Sequence, residues 1–212
     1  MVYCTTRWTF NWLLLVAGIC LVGTSFVLRV PVPKKYQIED GSKLCLKGTS
    51  NVNAFACDCN DQYSQRTLEA ETSGGYTRFR NADLFLKSKN FDCHNRKIDG
   101  DMQKALQSDK FPLIKVSLTD TWQNAQCLSG GCKDWFEVKA NVKIKLTDVT
   151  KDEFITAKAK VLGPNKFQLQ GEKALQMSAY GIKPPEAMLG MIKVNDWISF
   201  QFDLVVSVSE AQ

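Results

Sequence analysis

From Gln37 onward the hydrophobic positions recur with a period of two, the mark of strands with one dry and one wet face. The clearest run is Phe136 to Leu146. There Phe136, Val138, Ala140, Val142, Ile144 and Leu146 alternate with Glu137, Lys139, Asn141, Lys143 and Lys145. The same alternation predicts strands over Lys43–Lys47, Asn53–Cys59, Thr77–Leu86, Ile114–Asp120, Phe154–Val161, Lys166–Met177 and Asp196–Val208. Turn chemistry separates them at Gly48-Thr49-Ser50-Asn51, Ser73-Gly74-Gly75, Ser129-Gly130-Gly131, Gly163-Pro164-Asn165 and Asn195-Asp196.

Two helical interruptions are expected. Asp99 can cap a helix running to about Gln107, with Met102, Ala105 and Leu106 forming its apolar stripe. Pro184-Pro185 opens one short helical turn that Gly190 closes, after a strand ending at Tyr180-Gly181. About eight strands with few helices make an all-β domain, either a barrel or a sandwich. The size of the dry-face residues bears on that choice. Ala157 and Ala159 sit between Ile155 and Val161, and Ala140 and Gly171 are also small. Small inward residues on several strands favour a barrel with room for one ligand over one filled by its own side chains.

The N-terminal stretch has a different pattern. Only Arg7 is charged among residues 1–11, and the 17 residues from Trp12 to Leu28 carry no charge. This predicts a secretory signal over 1–25, with Gly23 and Ser25 placed for cleavage after Ser25. A linker over 26–36 and a barrel domain over 37–212 would follow. The alternative is a retained anchor over 12–28, at the lower edge of a bilayer-spanning length. Either way the domain is exported, to the periplasm or beyond. Cleavage lowers the formal charge from +5 to +4. With no block of like charge and no interleaving of basic with aromatic residues, nucleic acid is not expected as a partner.

Six cysteines remain in the exported domain, which favours disulfides. Cys127 and Cys132 flank a flexible Leu-Ser-Gly-Gly loop and pair first. A hairpin centred on Val52 would place Cys45 opposite Cys59, leaving Cys57 for Cys93. A zinc site from Cys57, Cys59, Cys127 and Cys132 lacks the usual two-residue spacing within pairs, so no metal is expected. Catalysis finds little footing. His94 is the sole histidine, its neighbour Cys93 would point to the opposite face of a strand, and no G-x-S-x-G is present.

Several segments resemble the YceI-like family, also called the lipid or polyisoprenoid-binding family. They are Gly48-Thr49-Ser50-Asn51-Val52-Asn53-x-Phe55; Phe91-Asp92-Cys93 through Met102 and Ala105-Leu106 to Phe111-Pro112; and Leu146-Thr147-x-Val149-Thr150-Lys151. The longest runs from Tyr180-Gly181-Ile182-Lys183-Pro184-Pro185 through Ala187-Met188-Leu189-Gly190 to Phe202-Asp203-Leu204. They fall in family order over residues 40 to 208. The family's usual Gly-Val-Thr-Lys hairpin is Asp148-Val149-Thr150-Lys151 here, so that turn is expected to differ. The resemblance implies an eight-stranded antiparallel, lipocalin-like barrel with an elongated apolar lumen. It also implies an exported bacterial protein that holds a polyisoprenoid, an isoprenoid quinone or a similar amphiphile without transforming it, with no further cofactor.

On that reading Val138, Val142, Ile144, Ala157, Ala159, Leu169, Met177, Phe200 and Phe202 line the lumen. Met102, Leu106, Met188, Leu189 and Met191 cover its mouth, where flexible thioethers adapt to varied shapes. Burying one five-carbon isoprene unit would contribute on the order of 3–4 kcal/mol, at roughly 0.8 kcal/mol per methylene. The alternative is a filled barrel acting as an interaction module. In that case Lys139, Lys143, Lys145, Lys158 and Lys160 would form a basic outer wall for a protein partner or an anionic membrane surface. Peripheral membrane contact is compatible with both.

Overall fold

The structure, a computed structural model, describes residues 32–128 and 130–211. The signal or anchor assigned to 1–25 or 12–28 lies outside the described residues. Among the described residues twelve strands are present: β1 (Pro33–Ile38), β2 (Lys43–Ser50), β3 (Ala54–Cys59), β4 (Arg66–Ser73), β5 (Tyr76–Lys87) and β6 (Phe91–Asp92). They continue with β7 (Leu113–Gln123), β8 (Phe136–Leu146), β9 (Val149–Gly163), β10 (Lys166–Gln176), β11 (Glu186–Ala187) and β12 (Ile192–Glu210). The helices are α1 (Arg96–Ala105) and α2 (Ala125–Leu128), with single 3-10 turns at Ser88–Asn90 and Met177–Tyr180.

Eight of the strands close a ring in the order β1-β4-β5-β7-β8-β9-β10-β12 and back to β1, every pairing antiparallel. Closure depends on β12, whose 19 residues serve two neighbours on one edge. Its first part pairs with β2, from Val194↔Ser50 to Asp203↔Lys43, and its last part with β1, from Val206↔Ile38 to Glu210↔Lys34. From β2 the sheet branches on to β3 and β6. Where β4 stops pairing with β5, at Glu69↔Arg80, Tyr36 takes over. Its hydroxyl donates to the Asp83 carbonyl (2.6 Å) and accepts from the Asp83 N–H (3.0 Å), stitching β1 to β5.

Alternation located the strands with strong two-sided contrast and missed four: β1 and β4, which lack it, and the two-residue β6 and β11. Of the eight residues Arg-Thr-Leu-Glu-Ala-Glu-Thr-Ser in β4, only Leu68 is buried. β1 begins at Pro33, inside the stretch assigned as linker, because Tyr36 and Ile38 alone carry its dry face. The helix start is also corrected. Asn95, not Asp99, is the cap: its side chain accepts from the Lys97 and Ile98 N–H groups (3.0 and 3.4 Å). Asp99 lies within the first turn and accepts from the Cys93 N–H (2.8 Å).

The helical turn expected over Pro184–Gly190 is absent. β10 ends at Gln176, the 3-10 turn Met177–Tyr180 follows, and left-handed Gly181 (φ 69°) closes it. The chain then forms a hairpin, β11 with β12, in register Glu186↔Lys193 and Ala187↔Ile192. Met188, Leu189 and Gly190 all have positive φ (49°, 56° and 84°) at its tip. Left-handed residues suit the twist of a tight hairpin, which a right-handed helical turn does not. At the β8–β9 turn, Thr147 takes the positive φ (55°) and its hydroxyl donates to the Leu146 carbonyl (2.6 Å).

Candidate functional site

Inward residues of the ring enclose a cavity of about 230 Å³. Val138, Val142 and Ile144 on β8, Ala157 on β9, Leu169 on β10, and Phe200 and Phe202 on β12 line it. Ala159 is buried (2 % exposed) on the inward face but does not line this cavity; its partner across the β8–β9 ladder is Phe136. Small residues make part of the room. Phe202 lies directly across from Gly171, and a Cβ there would sit 2.5 Å from the ring's Cζ, so the phenyl can lie flat against the wall.

A second cavity, of about 260 Å³, opens at the end where α1 sits. Met102 and Leu106 line it with Ile98 and Ala105, the apolar stripe of α1. The floor comes from the barrel through Leu46, Met177 and Ile198. Each of these is two residues along its chain from a wall residue of the first cavity: Leu44, Leu175 and Phe200. Two residues of a strand span roughly 6.7 Å. The cavities therefore lie end to end, and Met177 belongs to the outer one rather than to the lumen. Buried Phe91 packs edge-on against Phe200, with centroids 6.3 Å apart. Each cavity alone falls below the roughly 300–1,000 Å³ common for ligand pockets.

Met188, Leu189 and Met191 do not cover the mouth. They project into solvent at the β11–β12 tip, together with Val52 from the β2–β3 turn. Asn51 ties the two turns together. Its side chain donates to the Met191 carbonyl and accepts from the Lys193 N–H (both 2.8 Å), and its own N–H donates to the Lys193 carbonyl (3.0 Å).

Among the described residues the six cysteines divide as two bonds and two thiols. Cys57–Cys93 and Cys127–Cys132 are disulfides, while Cys45 and Cys59 are free. The expected Cys45–Cys59 bond fails on register. The β2–β3 ladder pairs Cys45 with Asp58, one residue off a hairpin centred on Val52. That single step puts Cys45 on the outer face and Cys59 on the inner one. Burial pushes the Cys59 thiol up to about 11. Cys93, held in a disulfide, has no thiol to act as nucleophile, and exposed His94 instead meets Asp58 (Nε2 to Oδ2, 3.1 Å). Among the described residues no group of acids, histidines and cysteines could hold a metal ion.

Sequence reasoning passed over one polar group inside the wall. Lys173 of β10 lines the first cavity, the single charged side chain to do so among the described residues. Its ammonium pairs with Glu153 of β9 (2.6 Å) and donates to the Phe154 carbonyl (3.2 Å). The other Glu153 oxygen accepts from the Tyr180 hydroxyl (3.1 Å), and burial holds that phenol well above its ordinary pKa. The signal was available. Lys173 has the parity of Leu169, Gly171 and Leu175, and Glu153 that of Ile155 and Ala157.

The geometry matches known structures although the sequence is remote. No protein-family model and no curated protein matches the chain. A polyisoprenoid-binding domain from Saccharophagus degradans, implicated in plant cell wall breakdown, superposes with a TM-score of 0.58 at 10 % identity. The alignment covers 83 % of this chain and 98 % of that one. BcnA from Burkholderia cenocepacia follows at TM-score 0.52 and 10 % identity, covering 80 % and 99 %. This chain shares their fold. The antiparallel, lipocalin-like ring expected from the resemblance is therefore the architecture observed.

Proposed function

We propose that this protein is a non-catalytic carrier of a long apolar ligand (a polyisoprenoid, an isoprenoid quinone or a similar amphiphile) in the bacterial cell envelope. The observation that carries the reading is the cavity wall. Apart from Lys173 and Thr121 every lining residue of the inner cavity is apolar, so a hydrocarbon chain would be desolvated there along its length. A second, largely apolar cavity, whose lining also includes Lys97, Asp101 and Glu186, lies beyond the first at the α1 end. The polyisoprenoid-binding domain that shares the fold supports the same ligand class. The two disulfides support an oxidising, exported setting.

The exposed tip supports peripheral membrane contact. Val52, Met188, Leu189 and Met191 form one apolar patch beside the outer cavity, the position from which a lipid could pass between bilayer and barrel. The outer lysine face is a weaker lead. Lys143 is paired with Asp152 (2.6 Å), and Lys158 stands opposite Glu137 across the ladder, so acids interrupt the basic wall.

Native mass spectrometry of the protein expressed in an oxidising compartment tests the reading. A mass adduct that extracts into organic solvent as an isoprenoid or fatty amphiphile is the expected result. A clean apo mass that persists after incubation with quinones and polyprenols would overturn it.

A further inference from the structure

The wall of the barrel is not closed by backbone everywhere. The β9–β10 ladder runs from Lys166↔Gly163 to Gly171↔Ala157 and stops. Both strands continue on their other edges: β9 stays paired with β8 to Val149, and β10 with β12 to Gln176. Between Lys151–Thr156 and Glu172–Gln176 the two strands run on without a ladder, and side chains fill the slot. Lys173 reaches across it to the Phe154 carbonyl and to Glu153, which Tyr180 braces from beyond.

This is an expensive way to close a wall. An ion pair beside an apolar cavity gives up hydration that two aliphatic side chains of similar volume would not. It also leaves capacity unused. An ammonium has three donors, and among the described residues Lys173 spends one on Glu153 and one on Phe154. The inward side of β9 also carries Lys151, whose ammonium lies 5.8 Å from the Tyr180 ring centre. Lys173 thus pairs with the carboxylate directly, and Lys151 stands beside the phenol that braces it. A lone aliphatic tail needs none of this, whereas an end group bearing negative oxygen does.

Resting on the carrier reading, we propose that the Lys173–Glu153–Tyr180 group is the polar-end anchor of the ligand site, and that the ligand carries an oxyanion end group. The tail occupies the apolar cavity. The end group lies in the slot between β9 and β10 and accepts from the free donor of Lys173, with Lys151 adding to the positive field. Unlike a backbone ladder, side chains can part by rotamer changes to admit it.

Three probes with the same sixteen-carbon tail separate the possibilities: palmitate, hexadecyl phosphate and hexadecanol, titrated calorimetrically into the protein. The expected result is binding of at least one charged probe roughly tenfold or more tighter than the alcohol, the scale of one charge-assisted hydrogen bond. Preference for palmitate or for hexadecyl phosphate identifies the oxyanion as carboxylate or phosphate. Lys173→Met should abolish the preference for the charged probe over hexadecanol. The double variant Lys173→Met/Glu153→Leu, which leaves no unpaired carboxylate in the wall, should do the same if the single variant folds poorly. Equal binding of all three probes by the unaltered protein would overturn the anchor and leave the carrier standing. Failure of all three to bind would overturn the anchor, and the carrier with it if quinones and polyprenols also leave a clean apo mass.

Discussion

Gly171 shows how one missing side chain sets the width of the lumen. The glycine faces Phe202 across the β10–β12 ladder, and the ring occupies the space where a Cβ would be. In Gly171→Ala the ring must move, and the free volume on offer is the cavity itself. Overpacking of this kind typically costs 1–3 kcal/mol, and the void should hold the cost near about 1 kcal/mol. The larger effect is expected on capacity, because the displaced phenyl would stand in the lumen. A urea titration of Gly171→Ala should therefore show a small loss of stability. Native mass spectra should show a marked fall in bound amphiphile. Full occupancy in the variant would mean that Phe202 does not define the wall. The same logic explains why Ala157 suits its position: a larger residue there would project into the same space.

At the scale of elements, the β11–β12 hairpin combines two features that a soluble turn normally avoids. Met188 and Leu189 hold left-handed backbone conformations and project long apolar side chains into water. Replacing them with the residues such a turn favours, Met188→Asn with Leu189→Gly, should stabilise the domain by about 1 kcal/mol, since non-glycine residues in that region cost roughly 1–2 kcal/mol each. Binding to phosphatidylglycerol-containing vesicles should fall at the same time, as read by cosedimentation. Undiminished vesicle binding would separate the tip from membrane contact. The hairpin also marks where the sequence became hard to interpret. Pro184-Pro185 and Gly190 punctuate a helical turn and a hairpin equally well, and two-residue β11 is too short to show a period. Long strands such as β8 were legible because their wet and dry faces differ along the whole length. β4 was not, because it faces the core through little more than Leu68. The lumen was largely readable from parity alone. Lys173 and Glu153 escaped because attention to a dry face looks for apolar residues and passes over the charge placed among them.

For the molecule as a whole, the barrel ring and its roof are stabilised by different means. Eight antiparallel strands close on themselves and leave no free edge in the ring. α1 is joined to that ring differently. It follows two-residue β6, and Cys57–Cys93 fastens the chain just before it to β3, with both sulfurs deep in the core. The bond spans a sequence separation of 36, against 5 for Cys127–Cys132. By loop-closure entropy the first should contribute about 4 kcal/mol and the second about 2 kcal/mol. Cys57→Ala/Cys93→Ala should accordingly lower the melting temperature by roughly 10 °C, about twice the effect of Cys127→Ala/Cys132→Ala. The functional consequences should diverge further. Without Cys57–Cys93 the stripe of Ile98, Met102, Ala105 and Leu106 is held over the outer cavity by packing and the two-residue β3–β6 ladder. Bound amphiphile should then escape faster from this variant at a temperature where the ring is still folded. Loss of Cys127–Cys132 should leave retention unchanged, since neither cysteine lines either cavity. Dissociation followed by transfer of a fluorescent fatty acid to vesicles, with circular dichroism to confirm the intact sheet, distinguishes the two. Equal retention in both variants would mean that packing holds the roof and that the disulfide acts only on global stability.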